Sequence, residues 1–540
     1  MKKLSFQKVS KEGIVGWVGE EIWGLLPSRF FEDPVSSVEE MGGQLIKKSG
    51  RRVAAILRFP EGKGIFFKRD RVQGWKEPLK YLLFPSKARK EWRVADRLSG
   101  RNLNIPRPLG WMEKRRWGFL IESYYLSEAV GSGTSFIEES AQKREDFYLD
   151  ELAAVVRRMH DSGLFHRDLH AGNFLWEEGA FFLTDLHRAK VVRSVSPQRR
   201  LLNLAQLLHS LRSCWGEGER LRFIERYIAG KPAVLVEKEE ILRKVHLLMA
   251  RLQRRQWQSR TKRCLKKSTE FSVRKEERGT VYHRRDFSVD RLKNVIEEHL
   301  AMVRERPWAL AKRSPEVIVS IVNDGKGKVG VKQFLHCRFG DGVKDLFRTS
   351  KAFRAWVAGN GLAVRGVPSL RPLALWERRE GRGRKESFLV MEASEKGLEM
   401  DRYILRGFGD IGRKRLFVRH FAGWLARLHQ RNVYHQDMKT CNLVVSEKGE
   451  AWDFHLLDLE DLRLENKIAE KGLFKNLLQL NTSIPKSLTR TDRWRFFKEY
   501  TRLQPIVKDE KIFVDQLIQK SKERGVVYVS SEGVIQEKFF

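Results

Sequence analysis

The residues with the clearest chemical meaning form an ordered series. Asp168, in His166-Arg167-Asp168, stands five positions before Asn173, and Asp185 follows twelve residues later at the end of a short apolar run, FFLTD. Upstream, Lys68 closes the stretch GIFFK, and Glu91 lies in the charged segment beyond it. Phosphoryl transfer asks for few protein groups: a carboxylate to take the proton of the attacking hydroxyl, and an Asn and an Asp to hold the magnesium that neutralises the triphosphate. At these spacings Asp168 is expected as the general base and Asn173 and Asp185 as Mg²⁺ ligands. Lys68 suits a grip on the α- and β-phosphates of ATP, with Glu91 fixing its direction. Each residue alone is weak evidence; the order is what gives the set meaning.

The same series occurs a second time. SKARKEWRVADRLSGRNLNIPRPLGW (86–111) aligns without a gap with SKAFRAWVAGNGLAVRGVPSLRPLAL (350–375), so the chain repeats itself with a period of about 265 residues. GLFHRDLHAGNFLW (163–176) matches NVYHQDMKTCNLVV (432–445), NLAQL (203–207) matches NLLQL (476–480), and ERLRFIERY (219–227) matches DRWRFFKEY (492–500). The second series reads Lys332 at the end of GVK, Asp437, Asn442 and, after a loop four residues longer, Asp458. The position matching Glu91 is Ala355, so the second lysine lacks its obvious partner and the activity of this half stays open. Lys439, two residues past Asp437, argues for activity, because a cation there suits a transferring phosphoryl; the first half has His170 at that place.

Stepping outward from the chemistry, each half needs the same supports. Period-two alternation in RVAAILRF with GIFFKR (53–69) and in VIVSIVN with KVGVKQF (317–334) predicts paired strands. A helix follows in each half, then a strand, a long helix, a loop holding the Asp and Asn, two short strands, and mostly helix to the end. The expected class is α+β: two tandem protein-kinase-like domains, each a small β-rich N-lobe and a mainly helical C-lobe. The expected borders are a first domain at 1–249, a basic linker at 250–300 and a second domain at 301–540. The linker segment ARLQRRQWQSRTKRCLKKS (250–268) combines cations with one Trp. It reads either as a nucleic-acid arm or, preferably, as the polar face of a last helix plus a solvated connector.

Three departures narrow the acceptor. No GxGxxG loop precedes the lysines, where KKSGRRV (47–53) and KRSPEV (312–317) stand instead. The metal-binding aspartates sit in Asp185-Leu186-His187-Arg188 and Asp458-Leu459-Glu460 and not in DFG, and no APE follows. Without a recognisable segment for docking protein substrates, a small or glycan acceptor is expected.

Taken together, a strand ending in K[RQ][DF], SKAxxxW, HxDxxxxN, DLHRA and a late [DE]RxRFxxxY resemble the bacterial lipopolysaccharide core kinases, which phosphorylate heptose or Kdo sugars of the inner core. The resemblance runs from about Lys47 to Tyr227 and again from Lys312 to Tyr500. It implies a protein-kinase-like fold, ATP with Mg²⁺, and a sugar hydroxyl on a lipid-linked anionic glycan at the cytoplasmic face of the inner membrane. By position it carries over Asp168 and Asp437 as bases, Asn173, Asp185, Asn442 and Asp458 as metal ligands, and Lys68, Lys332 and Glu91 at the nucleotide.

Composition agrees with this. The 540 residues carry 105 Lys and Arg against 69 Asp and Glu, a formal charge of +36, which predicts attraction to a polyanion without choosing among nucleic acid, phosphorylated glycan and anionic membrane. The resemblance favours the glycan and the anionic membrane surface over nucleic acid. Cys214, Cys264, Cys337 and Cys441 are too scattered for a zinc site or a disulfide framework and read as reduced thiols. The opening MKKLSFQKVSKEG is basic, but no apolar stretch of signal-peptide or membrane-spanning length appears, so neither a secretory route nor a spanning helix is expected. Two competing readings remain at this level: a protein or small-molecule kinase, and a non-catalytic pseudokinase that holds a polyanion.

Overall fold

The structure is a computed structural model and describes residues 5–59, 64–74, 76–131, 146–229, 238–277, 279–335, 349–380, 383–393, 397–505 and 509–540. The chain divides into two compact units, Met1–Gln253 and Arg254–Phe540, each of mixed α and β content.

Unit 1 begins with a seven-stranded sheet. Its strands are β1 (Phe6–Lys11), β2 (Ile14–Gly19), β3 (Gln44–Lys48), β4 (Arg52–Arg58), β5 (Gly64–Arg71), β6 (Pro108–Arg116) and β7 (Phe119–Glu128), ordered β1-β2-β6-β7-β5-β4-β3 with every pairing antiparallel. The edge strand β3, QLIKK, is exposed at every position, and its lysines keep that edge from pairing elsewhere. One face of the sheet buries Val9, Ile14, Phe67, Tyr124 and Leu126 against Phe30, Phe31 and Val38 of the segment after β2. Near the other face lies the helix Lys87–Leu98. Ser86 caps it by accepting from Arg89 N, a contact worth about 1 kcal/mol. Its buried residues Ala88, Glu91, Val94, Ala95 and Leu98 follow helical spacing, which sets a carboxylate inside an otherwise apolar stripe.

The helical part of unit 1 is built on Asp146–Asp161, Pro197–Ser210 and Glu217–Ile228, whose apolar faces share one core with Val245 and Met249 of the helix Lys238–Thr261. Four short strands run between them: β8 (Leu164–His166), β9 (Phe174–Glu177), β10 (Ala180–Leu183) and β11 (Ala189–Val191). β8 pairs with β11, opposing His166 to Ala189, and β9 pairs with β10. These two ladders bring the His166–Asp168 and Asp185–Arg188 segments side by side.

Unit 2 repeats the sheet. Its strands are β12 (Phe271–Glu276), β13 (Gly279–Arg284), β14 (Lys312–Arg313), β15 (Val317–Asn323), β16 (Lys328–Leu335), β17 (Pro372–Glu380) and β18 (Gly383–Glu392), ordered β12-β13-β17-β18-β16-β15-β14. The stretch 250–300 is therefore not a linker. It holds the end of the helix Lys238–Thr261, the hairpin β12–β13 and most of the helix Val289–Glu305, and β13 pairs with β17 inside the sheet. The hairpin is hard to see in the sequence because Arg and Lys crowd its exposed positions, while its anchors are only Phe271, Val281 and His283. The repeat thus extends upstream to Phe6 and Phe271. The residues after Gln504 form the helix Glu510–Arg524, which follows the late RFxxxY helix as Lys238–Thr261 does in unit 1, and a hairpin, Val526–Ser530 with Gly533–Glu537.

Cys214, Cys264 and Cys441 are free thiols, and Cys337 lies outside the described residues. Among the described residues, no helix is long and apolar enough to cross a membrane.

Candidate active site

Lys68 lies mid-strand, not at a strand end. β5 runs on to Arg71, and the charges past the lysine are matched by Arg69 on Glu122 and Asp70 on Arg52. Alternation along β5, between Ala54 of β4 and Tyr125 of β7, turns Lys68 inward to 5% exposure. Its Nζ donates to Glu91 Oε2 at 2.9 Å and to Asp185 Oδ1 at 2.5 Å. Burial alone would lower the lysine's pKa, but the two carboxylates override it and hold Lys68 above the ordinary lysine value. Asp185 faces the same opposition: burial raises it, Lys68 and His187 lower it, and it ends well below the carboxylate range. For Glu91 burial dominates and its pKa is raised.

Asp185 takes a left-handed backbone, φ 59° and ψ 42°, as the chain enters the 3₁₀ turn Leu186–Arg188. Such a conformation costs a non-glycine residue on the order of 1 kcal/mol, and it turns the carboxylate back toward the lysine. His187 Nδ1 lies 2.8 Å from Asp185 Oδ1. Asn173 is buried, and its Oδ1 accepts from His170 N at 2.9 Å. Lys68, Glu91, Asn173 and Asp185 line one cavity of about 450 Å³, walled on its apolar side by Ala54, Ile56, Leu175 and Leu183. The cavity therefore brings apolar side chains and charged groups to one space. The oxygen donors of Asn173 and Asp185, in a trio of net negative charge, fit a hard divalent cation. Glu91, Asp185 and His187 also each place a ligand atom within 4.8 Å of the others.

Asp168 is half-exposed, and its carboxylate meets the guanidinium of Arg188. Its backbone N–H donates to Nδ1 of the buried His166 at 3.3 Å, while His166 Nε2 lies 3.2 Å from the carbonyl of Asp185. This fixes the tautomer: Nδ1 accepts, Nε2–H donates, and burial keeps the ring neutral by lowering its pKa. The histidine thereby joins the loop of Asp168 to the segment that begins at Asp185.

Two motifs noted only as repeats explain what holds that loop. Asn203 Nδ2 donates to the carbonyl of His166, and its Oδ1 lies 3.3 Å from His160 Nε2; His160 Nδ1 contacts Tyr227 OH at 2.8 Å. In unit 2 the set recurs as Asn476 to the carbonyl of His435 at 2.6 Å, His429 Nε2 to Asn476 at 3.2 Å and His429 Nδ1 to Tyr500 OH at 2.6 Å. Burial holds both His160 and His429 at about 4.

The lysine of unit 2 is not without a partner. Lys332 Nζ donates to Asp458 Oδ1 at 2.7 Å and to Glu460 Oε1 at 2.6 Å, while Ala355 is buried on the helix Lys351–Val364. Against burial, Glu460 and Asp458 raise Lys332; against burial, Lys332 lowers Asp458. Asp437 accepts from Lys439 at 3.0 Å and from Gln479 Nε2 at 3.3 Å, and Asn442 Nδ2 donates to the carbonyl of Asp437 at 2.8 Å. The sequence pointed to Ala355 as a loss and passed over Glu460, although the residue two past Asp458 could have been compared with His187. At the strand-connecting tips, Ser49 and Ser314 make matching bonds: each hydroxyl donates to the carbonyl three residues on and accepts that residue's N–H on its Oγ. Those turns are closed on themselves where a glycine-rich loop would leave free N–H groups.

Arg188, which pairs with Asp168, also lines a second cavity of about 1260 Å³ in unit 1, where Lys87, Lys90, Arg93, Arg97, Arg167 and Lys190 outnumber the acids Asp70 and Glu77. Burial, with the charges of Arg167 and Lys190, lowers the pKa of Lys90. Cations this crowded repel one another, and an anionic guest relieves them.

The profile of the lipopolysaccharide kinase (Kdo/WaaP) family matches residues 38–227 and 332–500. These segments cover more than half of the chain, which belongs to this family and is a kinase. The lipopolysaccharide core heptose(I) kinase WaaP of Escherichia coli strain K12 is 26% identical over 189 residues, covering 31% of this chain and 70% of that protein. The 3-deoxy-D-manno-octulosonic acid kinase of Stenotrophomonas maltophilia strain R551-3 is 30% identical over 128 residues, or 24% of this chain and 51% of that one. The namesake from Xylella fastidiosa strain 9a5c matches to the same extent, so the chain spans about half the length of these two relatives. Among solved structures, a chain described as WaaP in complex with acyl carrier protein is 21% identical with a TM-score of 0.31, over 42% of this chain and 97% of that one.

Proposed function

We propose that this member of the lipopolysaccharide kinase family consists of two protein-kinase-like domains in tandem, and that unit 1 transfers the γ-phosphoryl group of ATP to a hydroxyl of Kdo or heptose in a lipid-linked inner core. The matching strand orders and the two-segment family match support the tandem arrangement. The observation that carries the activity is the contact of the buried Lys68 and Glu91 with the partly buried Asp185, set near a half-exposed Asp168. Lys68, aimed by Glu91, binds the α- and β-phosphates. Asn173 and Asp185 would hold Mg²⁺, which supplies neutralisation of the triphosphate. Asp168 accepts the proton of the attacking hydroxyl, whose oxygen bonds to phosphorus as ADP departs. Arg188, now on Asp168, is in reach of that same carboxylate and orients it.

The basic cavity lined by Arg188, the partner of Asp168, supports an anionic acceptor, since its excess of cations attracts carboxylated or phosphorylated sugars. It also disfavours the small-molecule alternative of a polycationic antibiotic. With a formal charge of +36, the protein is expected at the inner face of the inner membrane, held peripherally at about 1 kcal/mol per Lys or Arg near anionic lipid. The test is transfer of labelled phosphate from ATP to purified core lipid. Asp168→Ala and Asp185→Ala are expected to abolish it, and full transfer by either variant would refute this function.

A further inference from the structure

We infer that Glu460 takes over in unit 2 the task of the missing helix carboxylate, and that unit 2 is a second Mg-nucleotide site. The inference rests on reading the lysine and two-carboxylate arrangement of unit 1 as a nucleotide site. It assigns to unit 2 a function that the residue at position 355 argues against.

The first argument is the equality of the two turns. Asp458, like Asp185, is left-handed, at φ 46° and ψ 54°, and leads into the 3₁₀ turn Leu459–Asp461, as Asp185 leads into Leu186–Arg188. In both turns the N–H of the residue just after bonds to the leucine carbonyl: Ala189 to Leu186 and Leu462 to Leu459. The second residue past each aspartate therefore returns its side chain to the same place. His187 brings Nδ1 to Asp185 Oδ1 at 2.8 Å, and Glu460 brings Oε1 to Lys332 Nζ at 2.6 Å.

The second argument is charge. Each of the two lysines, Lys68 buried and Lys332 largely so, stands between two carboxylates, Glu91 with Asp185 and Asp458 with Glu460, so the local balance is the same although one carboxylate has moved from a helix to a turn. An accidental acid would not reproduce that balance at such distances, because an unmatched buried charge is costly.

The third argument is fit. The helix Lys351–Val364 presents small residues, Ala352, Ala355, Ala358 and Gly359, to its buried side. A Cβ on Gly359 would meet Pro372 Cγ at 2.4 Å and Leu459 Cδ1 at 3.0 Å, so the helix is seated directly on the turn. Arg354 Nε donates to the Glu460 carbonyl at 3.3 Å and pins the same junction. Gly359 and Arg354 thus hold the helix against the turn that carries Glu460. Glu460 Oε2 is buried and accepts no hydrogen bond among the described residues, which leaves an unused oxygen donor next to Asp458 for a cation.

The experiment counts bound nucleotide on the full chain with a fluorescent, non-hydrolysable ATP analogue and Mg²⁺. The parent is expected to bind two equivalents and Lys68→Ala one. Adding the isosteric Glu460→Gln to Lys68→Ala is expected to weaken the remaining site by about tenfold or more, the scale of a lost charge-assisted contact. Adding Glu460→His with Ala355→Glu to Lys68→Ala, which writes the first arrangement into unit 2, is expected to restore affinity to within about threefold of Lys68→Ala alone. A purely structural Glu460 would give no such recovery, so failure to recover in a folded protein overturns the exchange. Unchanged binding on Glu460→Gln overturns it without help from the other variants. One equivalent in the parent, lost on Lys68→Ala, overturns the second site while leaving unit 1 as proposed. No binding in the parent would overturn the reading of both sites.

Discussion

The two units hold their central lysines in the same electrical setting by different covalent routes. In unit 1 the second carboxylate arrives from a helix, as Glu91; in unit 2 it arrives from the turn after the aspartate, as Glu460. A buried ammonium needs its compensating charges close by, but it does not specify which element delivers them. A position-by-position comparison therefore finds a loss at Ala355 where the side chains of the folded site leave none.

The contrast can be tested first where the effect is largest. Asp168→Ala should lower phosphate transfer to core lipid by roughly 10²–10⁴, the usual contribution of a positioned base. Transfer surviving above that range would instead report the output of Asp437, and the double variant should remove it. Next in size is the carboxylate exchange itself. Glu91→Gln and Glu460→Gln should each weaken nucleotide binding at their own unit by about tenfold; an effect confined to Glu91→Gln would separate the two units for good.

Below these comes the acceptor cavity. Reversing charge with Lys90→Glu and Arg93→Glu should raise the KM for core lipid by roughly tenfold at low salt and less at high salt, with the KM for ATP unaltered, because ions screen surface charge over about 10 Å. An equal rise for ATP would detach this cavity from the acceptor. The smallest expected difference concerns what the units share. His160 and His429 are lowered to about 4 in the fold, so the unfolded chain binds more protons between about pH 4 and 6.5, and stability falls as pH drops through that window. Each histidine accounts for up to about 3 kcal/mol of this loss. Thermal melts at pH 7, 5.5 and 4.5 should show both units weakening together, and Tyr227→Phe and Tyr500→Phe should cost about 1 kcal/mol each.

How much of this the sequence made legible follows from the kind of signal each feature leaves. Lys68, Glu91, Asn173 and Asp185 are fixed residue types at fixed offsets, and the structure gathers them around one cavity. The segments 53–69 and 317–334 carry short apolar runs, continuous in Val53–Leu57, and they form β4 with β5 and β15 with β16. The hairpin β12–β13 left a weaker trace, since an edge hairpin buries few side chains and its Arg-rich exposed face imitates a linker. Glu460 left only a faint trace, as the residue aligned with His187, because its contact with Lys332 depends on where a left-handed residue turns the chain. The tyrosines of the two late RFxxxY motifs were visible as repeats long before their partners, His160 and His429, gave them a purpose.

The left-handed backbone at Asp185 and Asp458 bears on whether unit 2 has been retired. Shape alone would accept glycine or asparagine there, both at home in that conformation, and asparagine would even keep the size of the side chain. Aspartate is the choice that adds a negative charge to a bend already demanding. A duplicate freed from its work could shed that charge and keep every turn of its fold, whereas unit 2 keeps both the bend and the charge, with a lysine set against it.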